Sequence, residues 1–263
     1  MRLPLFQIDA FTDRVFAGNP AAVCPLERWL PDATLLAIAA ENNLSETAFF
    51  VPRGADWELR WFTPTTEIDL CGHATLAAAF VLMQRHPGRR LLRFHSWESG
   101  VLTVHARGEQ FVLDFPARPP ARIDAPPGLT EALGGVAPRE MLRATKTLAV
   151  FDDEATVRAL APDLRYVAAM EGDGLIVSAP GDTVDFVSRY FAPHVGIDED
   201  PVTGSAHCTL TPYWADRTGK SRLVAQQVSA RGGRLECALS GDRVEIAGRA
   251  VLYLEGTIEV PTP

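Results

Sequence analysis

The carboxylate best placed for chemistry is Glu46, in the run Asn42-Asn43-Leu44-Ser45-Glu46-Thr47-Ala48-Phe49-Phe50. It stands between a helix-ending asparagine pair and an apolar stretch with the composition of a strand. Partial burial in such a setting suits a carboxyl group to general acid/base work. By position alone, a loop glutamate or a helix-cap partner is the commoner role for such a residue. A second group lies in Asp69-Leu70-Cys71-Gly72-His73-Ala74-Thr75. There Gly72 permits close backbone approach, the following helix start offers amides to a carboxylate, and His73 can donate to an oxygen or shuttle a proton. A third lies in residues 198–207, where Asp200 precedes a turn and a hydroxyl stands at the start of a second helix. Asp200 could orient His73 or a substrate group, although three acids in a row are often a solvated loop or a complement to a helix dipole.

Cys71 with His73, and His207 with Cys208, invite a metal reading, but this spacing does not match the usual zinc patterns, and no metal is expected. Cys71 is also a candidate thiolate base, because a helix N-terminus lowers a thiol's pKa. The cysteines Cys24, Cys71, Cys208 and Cys237 lie far apart without a CxxC pair, which fits reduced thiols in a cytoplasmic protein.

Elements that would position these groups follow from pattern. Residues 5–11 alternate as a strand, residues 33–42 suit a helix started near Pro31 or Asp32, and residues 47–51 and 58–62 read as strands. Residues 73–85 form an apolar helix buried nearly all round, and residues 91–94, 100–106 and 110–115 read as consecutive strands, the last two joined by a tight turn at 107–109. The proline-rich stretch 116–127 is the best linker, dividing the chain into 1–117 and 118–263. Across that divide Phe62, Pro64, Ile68 and Asp69 recur as Phe191, Pro193, Ile197 and Asp198, and Gly72 and Ala74 as Gly204 and Ala206. A repeat this long predicts two similar halves, each a curved sheet around one helix, with the site in a cleft between them.

With 263 residues and 47% hydrophobic composition, the chain can bury a sizeable core. A net charge of −8 argues against nucleic acid as a partner while leaving a small acidic ligand open. No run of 18 apolar residues and no basic, apolar leader predicts a membrane segment or export.

GNP at 18–20, NNLSETAFF at 42–50, LCGHAT at 70–75, EDPVTGSAH at 199–207 and RGG at 231–233 resemble, in order, the phenazine-biosynthesis F-type isomerases, relatives of diaminopimelate epimerase. The resemblance implies an α+β fold of two pseudo-symmetric barrel-like domains, commonly a homodimer, acting on a small acidic metabolite without a cofactor. It implies Glu46 as general acid/base and His73 and Asp200 as supporting polar residues, with Ser45, Gly72, Gly204 and Ser205 around the substrate. Epimerase relatives use a cysteine in each half; Cys71 matches the first, but the second falls at Pro201, which cannot ionise. One-sided proton transfer by Glu46 is therefore favoured over a Cys71-dependent epimerase or racemase, and over a non-catalytic protein that merely binds a small acid.

Overall fold

Strand pairing, more than helix packing, organises this chain. The computed structural model describes residues 1–261 as a mixed α+β protein, divided into a unit of Met1–Asp114 with the chain from Ala247 onward, and a unit of Phe115–Ile246.

The first unit contains β1 (Arg2–Ala10), β2 (Asn19–Pro25), α1 (Asp32–Asn42), β3 (Glu46–Arg53), β4 (Asp56–Phe62), β5 (Glu67–Ile68), α2 (Gly72–Arg85), β6 (Leu91–Ser96) and β7 (Gly100–Arg107), and most of β8 (Gln110–Pro116). Helix α1 starts after Pro31, whose ring presets a backbone angle suited to helix entry. It stops at Asn43, which is left-handed at φ 49° and donates its N–H to Ala39. Its apolar side, Leu35, Ile38 and Ala39, packs with Cys24, Phe49, Val51 and Phe62 from the strands beneath. Helix α2 packs against β1, β2 and β3 and is buried from Gly72 to Ala79, as its Ala-rich sequence predicts. Strands β2 and β3 run parallel, with Ala21 opposite Glu46 and Ala22 opposite Thr47. Both therefore begin at the same end of the sheet, Asn19 on one and Glu46 on the other.

The second unit contains β9 (Ala121–Arg122), α3 (Leu129–Ala132), β10 (Glu140–Arg143), β11 (Thr147–Val150), α4 (Glu154–Ala159), α5 (Leu164–Ala169), β12 (Leu175–Pro180), β13 (Phe186–Ala192), β14 (Ile197–Asp200), α6 (Gly204–Thr218), β15 (Arg222–Gln227) and β16 (Gly233–Ser240), and most of β17 (Arg243–Gly248). Helices α3, α4 and α5 are short and contribute Leu129, Val157 and Val167 to one apolar cluster with Leu175, Val177, Val187 and Phe191. Helix α6, like α2, opens on a glycine and is largely buried.

Two expectations about organisation need correction. The final strand, β18 (Ala250–Glu259), pairs along its length with β1, so the chain from Ala247 returns to the first unit, and the boundary falls after Asp114 rather than after 117. Strand pairing outweighs chain order here. The stretch 116–127 is also tied down more than its prolines suggest. Its non-proline amides at Ala117, Arg118 and Ile123 donate to Asp242, Cys208 and Met141, and β9 pairs with β10.

Candidate active site

In the first unit the parallel pairing of β2 with β3 sets Asn19 and Glu46 at one end of the sheet, and the start of α2 brings His73 to them. His73 Nε2 lies 3.0 Å from Glu46 Oε2, and Nδ1 lies 3.1 Å from the Asn19 side-chain amide. Cys71 Sγ is 3.5 Å from Nδ1. All four side chains are buried.

Burial opposes a charge on His73, but negative charge at Cys71 and Glu46 and hydrogen bonds to both overcome it, holding the imidazole well above its ordinary range. Burial first, then the Glu46 charge, push the Cys71 thiol up to about 11, so it stays protonated at neutral pH. Cys71 and Glu46 are the two groups that favour a proton on His73. The expected helix-lowered thiolate at Cys71 is not what the structure provides: loss of water outweighs the dipole of α2. Carboxylate oxygen, thiol and imidazole lie within 4.8 Å of one another, a donor set within reach of one cation. A cation would have to displace the thiol proton and the Glu46–His73 contact.

Neither α2 nor α6 has a side-chain cap at its N-terminus. Uncapped first-turn amides are donors suited to an anion, and in α2 the Ala74 N–H already meets the Cys71 sulfur. Ser45 is half-buried in the turn leading into β3.

Gly18, next to Asn19, has φ 66°, and a Cβ there would meet the Ala10 carbonyl oxygen at 2.2 Å. The motif Gly18-Asn19-Pro20 thus needs glycine so that Asn19 can enter β2 under His73. Gly18→Ala is expected to cost about 2–3 kcal/mol, from left-handed strain plus the clash. A chemical melt would register the loss; an unchanged midpoint would contradict this packing.

In the second unit Asp200 ends β14, buried, and accepts a short hydrogen bond from Thr203 Oγ1. Gln227, fully buried on β15, donates to the Asp200 carbonyl at 2.6 Å and to Thr203 Oγ1 at 3.2 Å, and accepts from the Thr203 N–H at 2.8 Å. Ser205 is half-buried in the first turn of α6. The neighbouring acid Glu199 is held by Arg189, at 2.7 and 2.9 Å, and so has a structural partner.

His207 points back within α6, with Nδ1 2.7 Å from the Thr203 carbonyl. Burial lowers its pKa to about 4, against the raising effect of that hydrogen bond. A histidine depressed in the folded state stabilises the fold above its unfolded value near 6.5. That contribution is lost as pH falls from there towards 4, to at most about 3 kcal/mol. Unfolding free energy measured across this range should fall less steeply in His207→Gln; equal slopes would remove His207 from the acid response.

Glu46, His73 and Asp200 are legible in the local sequence, whereas the roles of Asn19 and Gln227 are not. Asn19 lies inside the Gly18-Asn19-Pro20 motif. Gln227 follows Leu223 and Ala225 on the inward side of an alternating strand, where a polar residue signals a buried hydrogen-bonding task.

The match to the family model named for phenazine biosynthesis-like proteins, PhzC-PhzF, runs over residues 8–256, and the chain belongs to this family. It is 54% identical over 261 residues to an uncharacterized isomerase of Pseudomonas aeruginosa, covering 99% of this chain and 100% of that one. A PhzF-family phenazine biosynthesis protein from Enterococcus faecalis has a crystal structure that matches with TM-score 0.96 at 48% identity, covering 99% of this chain and 100% of that one. A hydroxyproline epimerase from Agrobacterium vitis shares the fold at TM-score 0.63 and 10% identity, over 98% of this chain and 92% of that one.

Proposed function

We propose that this chain is an isomerase that moves a proton between carbons of a small unsaturated or enolisable carboxylic acid, with Glu46 as the general acid/base. The observation carrying this reading is the buried Glu46–His73 pair at 3.0 Å, in which one group can hold a negative charge while the other keeps a proton. Glu46 takes a proton as a C–H bond breaks, and the electron pair moves into the conjugated acid. The protonated His73 stabilises the oxygen charge that develops, and Glu46 returns the proton to a second carbon. Nothing is oxidised or reduced, and no cofactor takes part.

Ser45 and Gly72 in the first unit, and Gly204 and Ser205 in the second, are the substrate-binding positions of this reading, with Asp200, held by Thr203 and Gln227, as a supporting polar residue. This reading includes two pseudo-symmetric halves, each a barrel-like sheet around its helix, and a homodimer. The close relatives that are isomerases support the reaction class. A Cys71-based epimerisation is disfavoured by the protonated, buried thiol and by Pro201, while the epimerase likeness is one of fold.

Incubation of the protein with a panel of cyclic and enolisable acids in deuterated water, followed by NMR, tests the proposal. Carbon-bound deuterium that appears with the wild type and with Cys71→Ser, and disappears with Glu46→Gln, supports it. Exchange that instead depends on Cys71 would transfer the chemistry to the thiol, and binding of acids without exchange by the wild type would favour a non-catalytic role.

A further inference from the structure

Only two of the chain's 25 basic residues are lysines. Lys220 is ion-paired with Asp185 at 2.6 Å. Lys146 is half-buried in the turn before β11, with Nζ 5.2 Å from the centre of the Tyr190 ring, and among the described residues its ammonium has no hydrogen bond or ion pair. Where arginine supplies nearly every other cation, this position carries a lysine, which unlike arginine can release its proton.

The internal repeat locates Lys146 more closely. Phe62 and Phe191 are repeat partners; Thr47 pairs with Phe62 and Leu175 with Phe191, so Thr47 corresponds to Leu175 and Glu46 to Gly174. Ala22 pairs with Thr47 and Thr147 with Leu175, so Ala21, the strand neighbour of Glu46, corresponds to Lys146. The second unit therefore has no side chain where the first has its carboxylate. Nor could it hold one: Gly174 has φ 99°, and a Cβ would meet the Phe191 carbonyl oxygen at 2.5 Å and the Tyr190 hydroxyl at 3.0 Å. At this place in the fold the ionisable group is an ammonium on the adjoining strand.

We propose that Lys146 is an anion-contacting cation of the second unit, which ion-pairs with the carboxylate of a small acidic ligand. The inference rests on the reading of the protein as an isomerase of small acids. The charged and titratable groups facing Lys146 are Asp173 ahead of β12, Asp200 at the end of β14, Cys208 in α6, Arg118 after β8 and Tyr190 of β13. Loss of water lowers the proton affinity of Lys146, against the raising influence of Asp173, Cys208 and Asp200, and Arg118 adds to the lowering. An ammonium left partly desolvated without a partner is a favourable seat for a carboxylate. Because that seat titrates, ligand binding weakens as pH rises through the Lys146 transition.

The scarcity of lysine makes the test direct. Reductive methylation with ¹³C-formaldehyde labels Lys146, Lys220 and the N-terminal amine, and the variants Lys146→Arg and Lys220→Arg assign the signals. Sodium benzoate, an unreactive planar acid, should move the Lys146 signal saturably and leave Lys220 in place. Lys146→Met should weaken benzoate binding about tenfold or more, the scale of a charge-assisted hydrogen bond, while Lys146→Arg restores binding and abolishes its loss at high pH. A Lys146 signal indifferent to benzoate, or a Lys146→Met protein that binds benzoate as the wild type does, overturns the proposal. Repeating the titration in Glu46→Gln keeps the two claims apart. A persistent Lys146 shift without turnover supports both, whereas full turnover in that variant defeats the role of Glu46 and leaves the anion seat standing.

Discussion

Glu46→Gln is expected to lower kcat by about 10³-fold or more while changing the affinity for acids little, since general acid/base catalysis contributes on the order of 10²–10⁴-fold and glutamine keeps the shape of the side chain. The loss has two physical sources. The amide cannot accept a proton from carbon, and it removes one of the two groups that favour a proton on His73. Burial then acts on the imidazole with one counterweight fewer, which lowers the proton affinity of His73. The variant is therefore expected to shift the ¹⁵N resonances of His73 from the imidazolium towards the neutral form. A variant with near wild-type kcat, or one in which the His73 resonances do not move, would show that the pair at 3.0 Å does not govern the chemistry.

Gln227→Leu is expected to be the most damaging substitution among residues not assigned to the reaction itself. Leucine fits the space roughly but leaves the Thr203 N–H and the Asp200 carbonyl without the partners that Gln227 supplies at 2.8 and 2.6 Å. Each buried group so orphaned costs about 1–3 kcal/mol, so the two together come to about 2–6 kcal/mol. For a chain of this size that corresponds to a Tm lower by roughly 10 °C. The Asp200–Thr203 turn should also lose its shape, so turnover falls in the fraction that remains folded. Gln227→Glu, which keeps an acceptor for Thr203 but loses the donor to Asp200, should fall between the two. A leucine variant with unchanged Tm and kcat would mean that Gln227 does not hold this turn.

The residues that were legible in the sequence are those whose local pattern announces their setting. Helix α2 follows from an Ala-rich apolar run, and the end of α1 from paired asparagines. Glu46 was visible because a lone acid opens an apolar strand. The partners of these groups were not visible in the same way. Asn19 reaches His73 only because β2 and β3 run parallel, and Gln227 reaches Thr203 from 24 positions away. Such contacts are set by strand register, which no local window contains. The return of β18 to β1 escaped for the same reason, since its pairing closes the chain on itself over more than 240 residues. The misjudged thiol has a different origin: the helix-dipole argument applies to Cys71 in isolation, but full burial beside a carboxylate reverses it.

The most direct test of the central claim is carbon-bound deuterium incorporation from deuterated water into an accepted acid, followed by NMR for the wild type and Glu46→Gln side by side. The account predicts incorporation at the carbons that lose and gain the proton with the wild type, and none above background with Glu46→Gln although the acid still binds. Equal incorporation by both proteins would contradict it and remove Glu46 as the proton carrier.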